Sequence, residues 1–182
     1  MYKRQTLFYK LRNKLPSKIL KDIYFSIIHS KLNYGIELYA NTYISNLEKL
    51  ITLNNKILRI LQQKNFRSHA AALYSKYNSL PVNLLFKFNI SILMHKCLNN
   101  IETLPAVFQN YIAQNNIIHN HDTRSKNALH VPQVNKTFGT RAINITGVRI
   151  WNSLPISITS ITNLYSFKKS VKHFLLTELI SE

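Results

Sequence analysis

Apolar residues along this chain recur at three- and four-residue intervals between short polar joints, a spacing that predicts helices over most of its length. Leu7, Phe8, Leu11 and Leu15 fall to one side of a first helix over residues 1–14, with Lys3, Arg4, Lys10, Arg12 and Lys14 around them. Pro16 ends it, because proline has no amide hydrogen and clashes with the turn before it. Ser17 then opens and caps a second helix reaching Leu32, in which Ile19, Leu20, Ile23, Tyr24, Ile27 and Ile28 repeat at helical spacing. Gly35 breaks that pattern.

Ser45 and Glu48 stand three apart and predict a reciprocal capping box at the start of a third helix. Leu47, Leu50, Asn54, Ile57 and Leu61 follow at a and d spacing, with Asn54 as the single polar residue in that seam. Two heptads are too short for a coiled-coil dimer, so the stripe reads as a core-facing helix. A shorter helix is expected over residues 68–77. Pro81, suited to a first helical position, opens another to Leu98 with Leu84, Leu85, Phe88 and Ile92 inward and the run Ile90–Met94 deeply buried. A further helix is expected after Pro105, carrying Val107, Phe108, Tyr111 and Ile112.

The character changes near Asn115. Residues 115–147 are polar, hold two of the three glycines, and include β-branched runs at Leu129–Val131 and Ala142–Ile145; these predict loops with one or two short strands. The last periodic stretch, Leu164 to Leu179, turns Leu164, Phe167, Val171, Phe174 and Leu175 inward and Lys168, Lys169 and Lys172 outward. The expected fold class is mainly α: a bundle of about six helices, then a small mixed segment with one or two strands and a C-terminal helix. The change of character divides the chain into residues 1–114 and 115–182.

Charge alters the picture more than composition does. Twenty-four Lys and Arg face seven Asp and Glu in 182 residues, a formal net charge of +17. Repulsion on that scale opposes compaction and points to a polyanionic partner. Charge that serves only solubility is the competing reading, though solubility is more often reached with mixed signs or an acidic excess. Residues 1–31 hold eight Lys or Arg and one acid, Asp22. One cysteine, Cys97, excludes an internal disulfide and a multi-cysteine zinc site. No apolar run approaches the roughly 20 residues that span a bilayer, and the charged N-terminus lacks the apolar centre of a signal peptide. The sequons at Asn89, Asn135 and Asn144 are read as chance, and the expected setting is intracellular, cytoplasm or nucleus.

Catalytic chemistry is hard to assemble from these residues. Nucleotidyl transfer uses two metal ions held by close carboxylates. The two aspartates, Asp22 and Asp122, lie a hundred residues apart, and Glu37, Glu48, Glu102, Glu178 and Glu182 form no cluster in the sequence. No Tyr-x-Asp-Asp, glycine-rich phosphate loop or His-Glu-x-x-His occurs, and no nucleophile elbow or triad is evident. His119, His121 and His130 with Asp122 could be imagined as a metal site, but the spacing is loose and a solvated loop is the better reading. His95 is expected to be a hydrogen-bonded core residue, and Cys97 a small buried hydrophobe. No cofactor is expected.

What remains is basic surface interleaved with aromatics, suited to phosphates through Lys and Arg and to unpaired bases through aromatic rings. Three patches stand out in sequence: Tyr2, Tyr9, Lys10, Arg12, Lys14, Lys18 and Lys21; then Arg124, Lys126, Arg141 and Arg149; then Lys168, Lys169 and Lys172. Most aromatics fall on apolar faces, so these patches rest on charge, and contacts to the backbone carry little sequence specificity. Trp151 is expected to anchor core rather than stack on a base.

Six segments in order resemble the C-terminal part of jockey-like LINE (non-LTR) retrotransposon reverse transcriptases. They are LRNKLPSKILKDIYFSIIHSKLNYGIELYA, LEKLITLNNKILRIL, SLPVNLLFKFNISILMHKCLNN, HDTRSKNALHVPQ, GTRAINITGVRIWNSLP and SFKKSVKHFLL. Thr123-Arg124 and Trp151-Asn152-Ser153-Leu154-Pro155 carry the sharpest likeness, and Tyr39 stands near a position where the family has tryptophan. The resemblance covers nearly the whole chain. It implies that residues 1–114 lie near the thumb that grips template and primer, that the C-terminal part handles RNA or DNA during target-primed reverse transcription, and that endonuclease and polymerase domains lie upstream in an intact element protein. The family's catalytic aspartates have no counterpart here, so the implied role is a non-catalytic one. Two alternatives stay open: a basic helical interaction or scaffold protein that meets acidic proteins or a membrane surface, and a degenerate retroelement relic.

Overall fold

In the computed structural model the chain is mainly helical, and the structure describes residues 2–100, 102, 104–108, 111–118, 126 and 128–181, with the backbone alone for residues 2–5. The helices are α1 (Tyr2–Leu11), α2 (Ser17–Ile23), α3 (Ser30–Asn33), α4 (Ile36–Tyr39), α5 (Ile44–Leu61), α6 (Ala70–Tyr77), α7 (Val82–Asn99), α8 (Asn115–Ile118), α9 (Ile143–Ser153), α10 (Ile156–Thr159) and α11 (Leu164–Ser181). Between α2 and α3 a wider π-helical stretch, Tyr24–His29, keeps residues 17–33 one continuous rod. The mainly-α expectation holds.

Two compact units emerge: residues 1–86 with 175–182, and residues 87–174. Their boundaries fall inside α7 and α11, and the change of character near Asn115 lies within the second unit.

The first unit is organised around α5. Helices α1, α2 and α6 pack against it, burying Phe8, Leu20, Leu47, Ile57, Leu58, Leu61 and Leu73. Leu47, Asn54, Ile57 and Leu61 take their heptad places inward, with Leu50 half-buried. Asn54 is wholly enclosed: its Oδ1 accepts from the Tyr24 hydroxyl at 3.2 Å, and its Nδ2 donates to the Tyr74 hydroxyl at 3.0 Å. That hydroxyl donates onward to Asn55 Oδ1 at 2.7 Å. A buried amide is tolerated when its donors and acceptors are matched in this way. Gly35, at φ +61°, makes the left-handed joint between α3 and α4 that a side chain would strain.

The second unit packs α9 and α11 around the lower part of α7. Ile90, Met94, Ile145, Val148, Phe167 and Val171 are buried there. Trp151 stacks on Phe167 with centroids 5.5 Å apart. His95, fully buried, lies 4.3 Å from the Phe167 ring and places Nε2 2.8 Å from the Ile161 carbonyl oxygen, which makes that nitrogen the donor. The expectations for His95, Cys97 and Trp151 as core residues hold, and burial pushes the Cys97 thiol up, away from nucleophilic use.

Several local expectations are corrected. Ser17 and the Ser45–Glu48 pair do not cap: the preceding residues are Pro16 and Tyr43, neither start shows a side-chain cap bond, and Ser45 lies inside α5. A side-chain cap is found at Asn163, whose Oδ1 accepts from the Tyr165 and Ser166 amides at 3.0 and 3.1 Å. After Pro105 the described residues form one 3-10 turn, Ala106–Phe108, with Val107 exposed. Ala142–Ile145 is not a strand; Ala142 precedes α9 and Ile143–Ile145 form its first turn. Around Leu129 there is a single antiparallel bridge to Gln114 instead of a sheet among the described residues. Asn152 completes it, accepting from the Leu129 amide at 3.1 Å and donating to the Leu129 carbonyl at 2.9 Å, so a side-chain amide acts as the missing strand partner.

Helix α9 approaches α7 closely because Gly147 has no side chain. A Cβ there would meet Met94 Sδ at 2.7 Å and Ile90 Cγ2 at 3.6 Å. Alanine is the better helix former by ~1 kcal/mol, but overpacking a buried contact costs about 1–3 kcal/mol. Gly147→Ala is therefore expected to lower the thermal midpoint by a net loss of up to about 2 kcal/mol. The same change made in a Met94→Ala background should lose little, since the clashing sulfur is gone. A loss of the same size in both backgrounds would refute the close approach.

Candidate nucleic-acid interface

The basic residues singled out in the sequence fall into three structural situations. In the first unit, Lys10, Lys14 and Lys18 are exposed on the end of α1, the joint and the first turn of α2. Arg12 is half-buried beside them, with its guanidinium carbon 4.8 Å from the centre of the Tyr9 ring, a contact that holds its direction. Its backbone carbonyl accepts from Gln63 Nε2 at 3.0 Å, which ties the joint to the end of α5.

Arg12 also lines a cleft of about 200 Å³ with Ser17, Gln62, Gln63 and Lys76. Lys76, on the last turn of α6, is the addition that sequence reasoning missed. Nothing in the local pattern of α6 ties residue 76 to residue 12; only the packing of α1 and α6 against α5 brings two cations to one recess. Lys21 behaves differently. It is half-buried with Nζ 6.0 Å from the Tyr77 ring centre, so its charge is turned toward the fold.

The second sequence patch is spread over several elements. Arg124 lies outside the described residues. Lys126 is exposed in a turn, Arg141 is half-buried in the 3-10 turn Gly139–Arg141, and Arg149 is exposed on α9. Three separate elements thus carry the three cations. The histidine set also cannot be assembled here: His119, His121 and Asp122 are outside the described residues, while His130 Nδ1 lies 3.3 Å from Asn115 Oδ1. Among the described residues no three His, Cys, Asp or Glu gather where they could hold a metal ion.

The third patch is a helix face. On α11 Lys169 is exposed and Lys168 and Lys172 are half-buried at the flank, on a helix whose other side buries Phe167, Val171 and Leu175. Residues three and four apart on a helix are neighbours, so one short stretch of α11 carries three cations, with no acid between residues 164 and 177.

Comparison with family profiles, curated proteins and solved structures finds no match to this chain. The arrangement is thus read from its own chemistry: two cation-bearing surfaces, one at the α1–α2 joint with α6 and one on α11. No helix among the described residues is long and apolar enough to cross a membrane.

Proposed function

We propose that this chain is a nucleic-acid-binding segment, drawn from the C-terminal, post-polymerase part of a jockey-like LINE reverse transcriptase, that grips RNA or DNA by its phosphate backbone and does not itself copy it. The observation that carries the binding is the charge: +17 over 182 residues, with Lys10, Lys14 and Lys18 exposed around one joint and Arg12 sharing a recess with Lys76. The origin rests on the six ordered segments of resemblance. In that reading the upstream polymerase domain is the natural covalent neighbour, and the site of action is cytoplasm or nucleus.

A polyanion of regular phosphate spacing gains from such a surface mainly by releasing counterions, which makes affinity fall steeply with salt. Lys10, Arg12 and Lys14 changed together to Ala should weaken binding of a labelled single-stranded RNA. They should also flatten the plot of log K against log salt by about 2–3, near 0.7–0.9 for each phosphate no longer neutralised. Anisotropy titrations at several salt concentrations measure both. An unchanged slope would remove the α1–α2 joint from the interface. Displacement by heparin or an acidic protein as readily as by structured RNA would favour a general scaffold for acidic partners instead.

A further inference from the structure

The outward face of α11 carries something besides charge. Tyr165 is 79% exposed, while the opposite side of the helix is fixed in the core by Phe167 and Val171. Lys168, Lys169 and Lys172 follow it at three, four and seven residues, with His173 exposed at eight, so all share the tyrosine's side of the helix. Asn163 caps the first turn through the Tyr165 and Ser166 amides, which keeps the ring's backbone ordered at the end of the lysine row. A flat ring held at the end of a cationic row is the arrangement on which unpaired bases stack. Tyr9, by comparison, already has a guanidinium over its ring.

We propose that this face is a single-strand platform: the lysines hold successive phosphates and an unpaired base stacks on the Tyr165 ring. The inference rests on the nucleic-acid reading above and sharpens it, because a stacked base must be unpaired and a duplex hides its ring faces. An acidic protein surface would use the lysines but gain nothing specific from the ring. A membrane would use the face only through its charge, since the apolar side of the helix is buried.

The test uses the full chain and two labelled strands of equal length, one normal and one abasic throughout. Tyr165→Ala should weaken binding to the normal strand by about fivefold or more, the lower end for loss of one base–aromatic stack, and leave the abasic strand unaffected. Tyr165→Phe should retain binding to both. Lys168→Ala with Lys169→Ala should weaken both strands alike. Because the ring is exposed, the urea midpoint of Tyr165→Ala should match that of the unaltered chain, which separates binding from folding. Equal loss on both strands, no loss on either, or loss confined to anionic phosphatidylserine vesicles would overturn the platform. If the unaltered chain binds neither strand, the nucleic-acid reading itself falls; if it binds both and Tyr165→Ala changes nothing, only the platform does.

Discussion

Replacing Trp151 by alanine is expected to lower the unfolding free energy by about 3–5 kcal/mol, the usual range for truncating a buried aromatic. The indole is 8% exposed, stacked on Phe167 at 5.5 Å, with the His95 ring 6.4 Å away. Its removal opens the centre of the second unit where α7, α9 and α11 meet. An open cavity of about 570 Å³ already borders Trp151, so water can fill part of the void and favour the lower end of the range. Most small domains are stable by about 5–15 kcal/mol, and a loss of this size consumes much of that. Urea unfolding followed by far-ultraviolet circular dichroism is the suitable measurement, because the variant lacks the chain's only tryptophan. Trp151→Phe should cost much less. A small change in stability accompanied by a collapse in RNA binding would make Trp151 a contact for the ligand and not a core anchor.

Alkaline conditions should be equally damaging to the first unit. Tyr24 and Tyr74 are enclosed beside Asn54. Burial pushes both phenols above their ordinary value of 10.0, with Tyr24 adding to the effect on Tyr74 and Asn54 hydrogen bonds opposing it on each. The folded chain therefore keeps protons that the unfolded chain releases above about pH 10. Stability is intact below that pH and falls as pH rises beyond it, by about 1.4 kcal/mol per pH unit for each phenol held neutral, so about 3 for the pair. The check is a titration that follows phenolate absorbance and circular dichroism together. The phenols of Tyr24 and Tyr74 should ionise only as the fold is lost. Smooth titration of all ten tyrosines with the helices intact would contradict the enclosed network.

Both predictions turn on contacts of different legibility. The stripe of α5 was readable because Leu47, Ile57 and Leu61 obey a local period, and a helix that keeps the period buries them. Asn54 was readable as an exception in that stripe. Its partners were not, since Tyr24 and Tyr74 are thirty and twenty residues away and reach it only across packed helices. The capping box failed for a related reason. Ser45 and Glu48 have the right spacing, but the helix begins at Ile44, so the serine is already inside it. The β-branched run 142–145 suggested a strand by propensity. Residues 143–145 instead form the first turn of α9, whose buried Ile145 and Val148 pack in the core, an instance of tertiary packing overriding a weak local preference.

The candidate interface divides in the same way. Lys168, Lys169 and Lys172 were legible as one face because a helix converts sequence spacing directly into spatial order. Tyr165, three and four positions before the first two, could have been found by extending the same count. Arg124, Lys126, Arg141 and Arg149 were grouped by nearness in sequence, and the described members lie in a turn, a 3-10 turn and a helix, which no local period could have placed.

By itself, then, the sequence determined the helical character, the inward stripes of α5 and α11, and the cationic excess, because each depends on residues a few positions apart or on a simple sum. Only the tertiary structure decided which cations share a surface: Arg12 and Lys76, sixty-four positions apart, line one cleft because α1 and α6 both pack on α5. It likewise gave Asn54 its two phenolic partners and Leu129 its amide partner in Asn152. Such pairings follow from how apolar faces close over one another, a choice made by the whole core at once and written in no short stretch of it.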